Sequence, residues 1–215
     1  MNKLTLKQLD AGVEAAIANA DSLIKEAMLL YQSGFHARAY TLSHIAREEL
    51  AKVTMLYTSG LRMLVGHPVD WPKLYKRLRN HESKLANESL TMFVNTPDAD
   101  ESYLEKMLAG TSVRNEWKND SLYIGLKEQV FKTPAEMITP KKAERTIGLA
   151  LAALYDARRF LSQGGKLVER DPEKTKRAFG HINADKLTPD DALKLIKELK
   201  KLIHANSGSS KSSES

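Results

Sequence analysis

Residues 39–57 read AYTLSHIAREELAKVTMLY. With Phe35 ahead of them, apolar residues recur at Phe35, Ala39, Leu42, Ala46, Leu50, Val53 and Tyr57. This three-and-four spacing lays one stripe along a helix. No Gly or Pro interrupts the stretch, so a helix is predicted from about Phe35 to Thr58. Upstream, Thr5 is a natural N-cap, and Leu6, Leu9, Val13, Ile17, Ala20, Ile24, Ala27 and Tyr31 repeat the spacing as far as Gly34. The connection is short, so the two helices are expected to pair as a long antiparallel hairpin.

Downstream, Gly66-His67-Pro68 breaks the pattern. Asp70, with Pro72 in the first turn, predicts a third helix reaching about Phe93. Asn95 to Asp100 reads as a polar loop, Tyr103 to Leu108 as a short helix, and Thr111 to about Leu126 as another. Thr133 to Thr139 reads as a connection. Thr139-Pro140 opens a helix carrying Ile147, Leu151, Leu154, Ala157 and Leu161, which stops at Gly164-Gly165. Thr188-Pro189-Asp190-Asp191 signals a last helix, with Leu193, Ile196, Leu199, Leu202 and Ile203 on its apolar side. No strand alternation and no internal repeat stand out. The expectation is an all-α bundle forming one domain over residues 1–206, with a serine-rich, disordered tail over 207–215.

Composition agrees. Eleven Gly and seven Pro in 215 residues are few for a sheet protein. Cysteine is absent, which excludes disulfides, thiol catalysis and Cys-based zinc sites. No apolar run is long enough to span a membrane, and the N-terminus lacks a signal-peptide core, so a cytoplasmic protein without membrane contact is expected. The net charge of +6 favours anionic partners without identifying one. No P-loop, GxSxG, GxGxxG or HExxH motif occurs, and the histidines lack metal-ligand spacing.

Three polar clusters lie within the predicted helices. In Arg47-Glu48-Glu49-Leu50-Ala51-Lys52, Glu48 and Lys52 stand at i and i+4, the spacing of a surface ion pair. Glu49 borders the apolar stripe, so a part-buried carboxylate orienting a cation is the alternative. In Asn80-His81-Glu82-Ser83-Lys84, His81 extends the stripe of Leu74, Leu78 and Leu85 and is expected to point inward. It is either a hydrogen-bonded structural residue or a general acid or base, since imidazole titrates near neutrality. In the third cluster, Arg114 to Tyr123, Val113, Trp117 and Ile124 fall on one side. Arg114, Asn115, Lys118 and Asn119 fall on the other, around Leu122 and Leu126. Two amides beside two cations suit phosphate or ribose contacts; a solvated face is the plain alternative. Two basic stretches, Lys73 to Lys84 and Arg158 to Arg177, could guide an anionic chain.

The order of these clusters resembles the AbiV family of bacterial abortive-infection proteins, which are HEPN-like. AYTLSHIAREELAKVTMLY (Ala39 to Tyr57), the His81/Lys84 pair and RNEWKNDSLY (Arg114 to Tyr123) carry the resemblance. It implies a HEPN-like helical fold, a homodimer, and arrest of host translation during phage infection. It also implies a metal-independent ribonuclease with no cofactor. The HEPN motif places an Arg, a polar residue and then a His along one helix. Arg114 and Asn115 match its first half, but Lys118 and Asn119 stand where the His would follow. His81, from another helix, is the expected substitute.

On this reading His81, Arg114 and Lys118 are catalytic. Glu48, Glu49, Lys52, Lys84, Asn115, Asn119 and Tyr123 orient these groups or bind RNA. The expected partners are a second copy of the chain, RNA or the translation machinery, and a phage-encoded activator. A non-enzymatic helical dimer that binds a phage or host protein is the alternative.

Overall fold

A computed structural model describes residues 2–182, together with 188, 191, 193–198, 200 and 201. Helix α1 spans Leu6–Gln32 and α2 spans His36–Leu64. Thr5 and Gln8 form a capping box at the start of α1, satisfying two otherwise orphan backbone donors. Between the helices the chain reverses at Gly34, whose φ of 81° suits a residue without a Cβ. The predicted antiparallel hairpin is thus present, and α1 and α2 share the most extensive contact in the fold.

Helix α8, Pro140–Gly164, closes a three-helix core against both. Small side chains let the backbones approach in its middle, where Ala20, Ala46 and Ala150 pack with Ile24, Leu50 and Leu154. One end is filled by Leu9, Val13, Val53, Tyr57, Trp71, Leu74 and Leu167. The other holds Ala27, Ala39, Tyr40, Ile138, Ala143 and Ile147. A 3-10 turn, Leu167–Glu169, is latched onto α1 by the buried Asp10 carboxylate, which accepts from the Leu167 and Val168 amides. Helix α9, Pro172–Phe179, follows it and packs on α2.

The remaining elements are shorter: α3 Trp71–Arg79, α4 His81–Asn95, α5 Glu101–Ala109, α6 Thr111–Asp120, α7 Pro134–Met137, and a hairpin of β1 Gly125–Lys127 and β2 Val130–Lys132. Helix α4 packs on α2, and α6 packs on both. Two helix expectations need correction here. The helix predicted from Asp70 to Phe93 is two helices. Asn80 is extended (ψ 123°) and its side chain caps Ser83, so the chain turns there. The helix predicted to Leu126 ends at Asp120. Ser121 is fully buried against Thr41 of α2, with the two hydroxyls 2.7 Å apart. Beyond it lies the β1–β2 hairpin, whose turn places Glu128 and Gln129 at positive φ. Lys127 ties the hairpin back to Glu116 and Asp120.

Phe35 and Leu151, expected on buried stripes, are exposed. Asp191 and Thr188 cap one another as the start signal implied. Leu199, Leu202, Ile203 and the tail over 207–215 lie outside the described residues. No helix among the described residues is long and apolar enough to cross a membrane.

Candidate functional site

Helices α2, α4 and α6 each offer two polar residues at i and i+4 toward their common junction: His44 and Glu48, Lys84 and Glu88, Arg114 and Lys118. One helical turn rises about 5.4 Å, so Lys84 and Lys118 meet at one level and Glu88 and Arg114 at the next, the first centred on Glu48 and the second on Glu88.

At the first level, Glu48 is almost wholly buried, with its side chain 3% exposed. Its Oε2 lies 2.5 Å from Lys84 Nζ and 2.7 Å from His81 Nδ1. Its Oε1 lies 2.9 Å from His81 Nδ1, 3.6 Å from Lys118 Nζ and 3.4 Å from His44 Nε2. At the second level, Glu88 pairs with Arg47 Nε and stands 3.8 Å from Arg114 Nη1. Arg114 Nη2 donates to Ser89 Oγ at 2.9 Å and to the Met107 carbonyl at 3.0 Å.

Burial alone would push the Glu48 carboxyl up. The opposing pull of His44, Lys84 and His81 outweighs it and holds the group well below the usual carboxylate range. Glu48 is therefore an acceptor only, and Nδ1 of His81 must carry a proton to bond with it. Lys118 Nζ also lies 3.2 Å from Nδ1. One ring nitrogen cannot serve both, and the ionised, closer carboxylate takes it. In the neutral ring Nε2 is then the lone-pair nitrogen, and no hydrogen bond among the described residues uses it. The His81 side chain is 54% exposed. The arrangement is a buried carboxylate orienting a solvent-facing imidazole.

Burial pulls the His44 imidazole below its ordinary value, keeping it neutral, although Glu48 opposes this. Burial likewise pushes the Tyr40 phenol up to about 12. It lowers the Arg114 guanidinium, against the pull of Glu88. Glu88 Oε2, Arg114 Nε and Asn115 Oδ1 are buried without a hydrogen-bond partner among the described residues.

Of the sequence candidates, the structure brings Glu48, His81, Lys84 and Lys118 to one level and Arg114 to the next. Two expectations are corrected. His81 does not point inward, because the break at Asn80 makes it the first residue of α4 and turns its ring outward. Lys52 does not pair with Glu48. It pairs with Glu49 at 2.5 Å, and that couple stands apart from the junction.

The faces of α6 are also resolved. Lys118 is buried, Arg114 and Asn115 are half-buried, and Asn119 is exposed. Val113 and Trp117, which share one side of the helix, are exposed, with Lys142 Nζ 4.6 Å over the Trp117 ring. Tyr123 is 66% exposed and Leu126 lies in the hairpin. Sequence reasoning overlooked Glu88, Ser89 and His44, and left Arg47 without a role. The i,i+4 relation of Lys84 to Glu88, beside the buried Leu85, was the available signal. Among the described residues, no group of three or more His, Cys, Asp or Glu is placed to hold a metal.

Residues 8–154 match the HEPN_AbiV family model, described as AbiV. That is more than half of the chain, and the protein belongs to the AbiV family of HEPN-like proteins. No curated protein and no solved structure matches it.

Proposed function

We propose that this AbiV-family chain is an abortive-infection effector that arrests translation by cleaving RNA without a metal, with His81 as its proton-transfer group. The observation that carries the reading is the charge balance of the junction. Four basic side chains, Arg47, Lys84, Arg114 and Lys118, surround two carboxylates, Glu48 and Glu88. Buried charge without a counter-charge is costly, and a phosphate at the open, His81 side would supply one.

In the chemistry this supports, Nε2 of His81 removes the proton of a ribose 2′-hydroxyl. The 2′-oxygen forms a bond to the adjacent phosphorus and the bond to the 5′-oxygen breaks. The imidazolium returns its proton to that departing oxygen, leaving a 2′,3′-cyclic phosphate. Glu48 holds the ring by Nδ1. Lys84 and Lys118 offset the charge that builds on the nonbridging oxygens. Arg114, whose Nη2 is bound to Ser89 and Met107, supports the junction from behind.

Incubating the protein with tRNA and rRNA in EDTA tests the reading. Cleavage to cyclic-phosphate ends, reduced at least about 100-fold in His81→Ala, is expected. RNA left intact at high protein concentration, with and without phage factors, overturns it.

The three protein partners of Arg114 favour the second reading, a non-enzymatic dimer whose buried ion pairs set helix register. Under that reading His81→Ala and Arg114→Ala alter folding or dimerisation and no turnover exists. Both readings include a homodimer. Leu126 and Phe131 pair across the hairpin and are exposed, as are Tyr123, Ile124 and Val130, which offers an apolar surface to a second copy. Phe131→Asp is expected to yield monomers by light scattering, and an unchanged mass argues against this surface.

A further inference from the structure

We infer that helix α3 is a backbone track that delivers single-stranded RNA to His81; the inference rests on the ribonuclease reading and extends it to a substrate-binding surface. Helix α3 reads WPKLYKRLR and contains no acidic residue. Its buried face is set by Trp71 and Leu74, which pack into the core. Lys73, Lys76, Arg77 and Arg79 are exposed, and none makes an ion pair among the described residues.

The other basic stretch, Arg158 to Arg177, is occupied in its first part. Arg158 pairs with Asp21, Arg159 with Asp156 and Lys166 with Glu14, while Arg170 binds Tyr57 and Gly164. Those four cations are occupied within the fold, whereas the α3 cations, like the exposed Lys174, Lys176 and Arg177 of α9, make no ion pair among the described residues, so position must separate the two stretches.

Position is the second argument. Arg79 and Arg77 stand two and four residues before His81, and the Asn80 turn joins their helix directly to the candidate site. A chain spans at most about 3.5 Å per residue, so the Cα atoms of Arg79 and His81 are within about 7 Å. The exposed cations of α3 thus end, at Arg79, beside the His81 edge of the site where Lys84 and Lys118 flank Glu48. A polyanion with regularly spaced phosphates fits such a row, and counterion release would drive its binding.

The test uses the full chain carrying His81→Ala and a fluorescent 2′-O-methylated single-stranded RNA that cannot be cleaved. Anisotropy gives the affinity across a salt series. For single strands the slope of log affinity against log salt is about 0.7 per neutralised phosphate. Replacing Lys73, Lys76, Arg77 and Arg79 with Gln is expected to flatten the slope by roughly 2.8 and to weaken binding at least about tenfold. The double variant Arg77→Gln/Arg79→Gln should flatten it by roughly 1.4, which protects the conclusion if the quadruple variant folds poorly.

A charge-matched control replaces the exposed Arg145, Lys174, Lys176 and Arg177 with Gln. An unchanged slope in the α3 variants overturns the inference, as does an equal loss in the control, which would mean bulk charge alone. Binding to phosphatidylserine vesicles with none to RNA also overturns it. If RNA is bound through α3 but never cleaved by the wild-type chain, the ribonuclease reading fails and the track stands.

Discussion

Glu48→Gln removes the charge on which the first level of the junction converges. The carboxylate is 3% exposed and has the ammonium groups of Lys84 and Lys118 at 2.5 and 3.6 Å. Those lysine side chains are themselves only 7% and 9% exposed, so water cannot replace the lost partner. Removing one member of a buried ion pair costs about 3–5 kcal/mol, because the other charges stay buried and unpaired. In a domain of this size each kcal/mol shifts Tm by about 2–4 °C. The variant should therefore melt about 6–20 °C below wild type at neutral pH.

The pH dependence adds a second test of the same reasoning. The folded-state pKa of Glu48 lies below the unfolded value of about 4.3. The stability it contributes is thus fully present above that value and is lost as pH falls toward the folded pKa. Thermal melts followed by circular dichroism should show the gap between wild type and Glu48→Gln at its widest near neutrality and narrowing below about pH 4.3. A gap under about 1 kcal/mol at neutral pH, or one that widens in acid, would refute the buried-carboxylate argument.

The half-exposed ring of His81 contributes less to the fold, so His81→Ala should cost only about 1 kcal/mol in a denaturant titration; a loss comparable to that of Glu48→Gln would make His81 a structural residue. His44 is held neutral by burial. Its folded pKa lies below the unfolded value of about 6.5, so the unfolded chain takes up the proton first and wild type loses stability as pH falls below that value. Unfolding midpoints of wild type should drop more between neutral and mildly acidic pH than those of His44→Gln, and parallel drops would count against a buried neutral imidazole. At Gly60 an added Cβ would lie 2.3 Å from Leu167 Cδ1. Gly60→Ala should destabilise by about 1–3 kcal/mol in urea, and an unaffected midpoint would mean that the 3-10 turn moves aside freely.

The long hairpin was legible because α1 and α2 each carry an uninterrupted helical stripe bounded by Thr5, Gly34 and the Gly66 break. The turn at Asn80 was not, because Leu74, Leu78, His81 and Leu85 keep helical spacing straight through it. The extended backbone of Asn80 and the capping bond from Ser83 N to its side chain mark the interruption. That one backbone change moves His81 from an expected inward position to the mouth of the junction. Strands of three residues are too short to reveal alternation, and the Glu128-Gln129 turn lacks the glycine that usually signals a hairpin.

At the site, Glu48 and Glu49 are neighbours about 100° apart on α2. Both border apolar residues, and which one becomes buried among cations depends on where α4 and α6 dock. Nothing within α2 encodes that. The pairing of Arg47 with Glu88 is long-range for the same reason. By contrast, His81, Lys84 and Lys118 were identifiable as polar residues set among apolar ones, and these converge on Glu48.

The central claim is that Glu48 holds His81 by Nδ1 and leaves Nε2 free to act on a phosphodiester. Nitrogen-15 NMR of the His81 ring tests it directly. The neutral imidazole should be the tautomer protonated at Nδ1, and Nε2 should shift when a 2′-O-methylated dinucleotide is added. A ring protonated at Nε2, with no response to the dinucleotide, would contradict it.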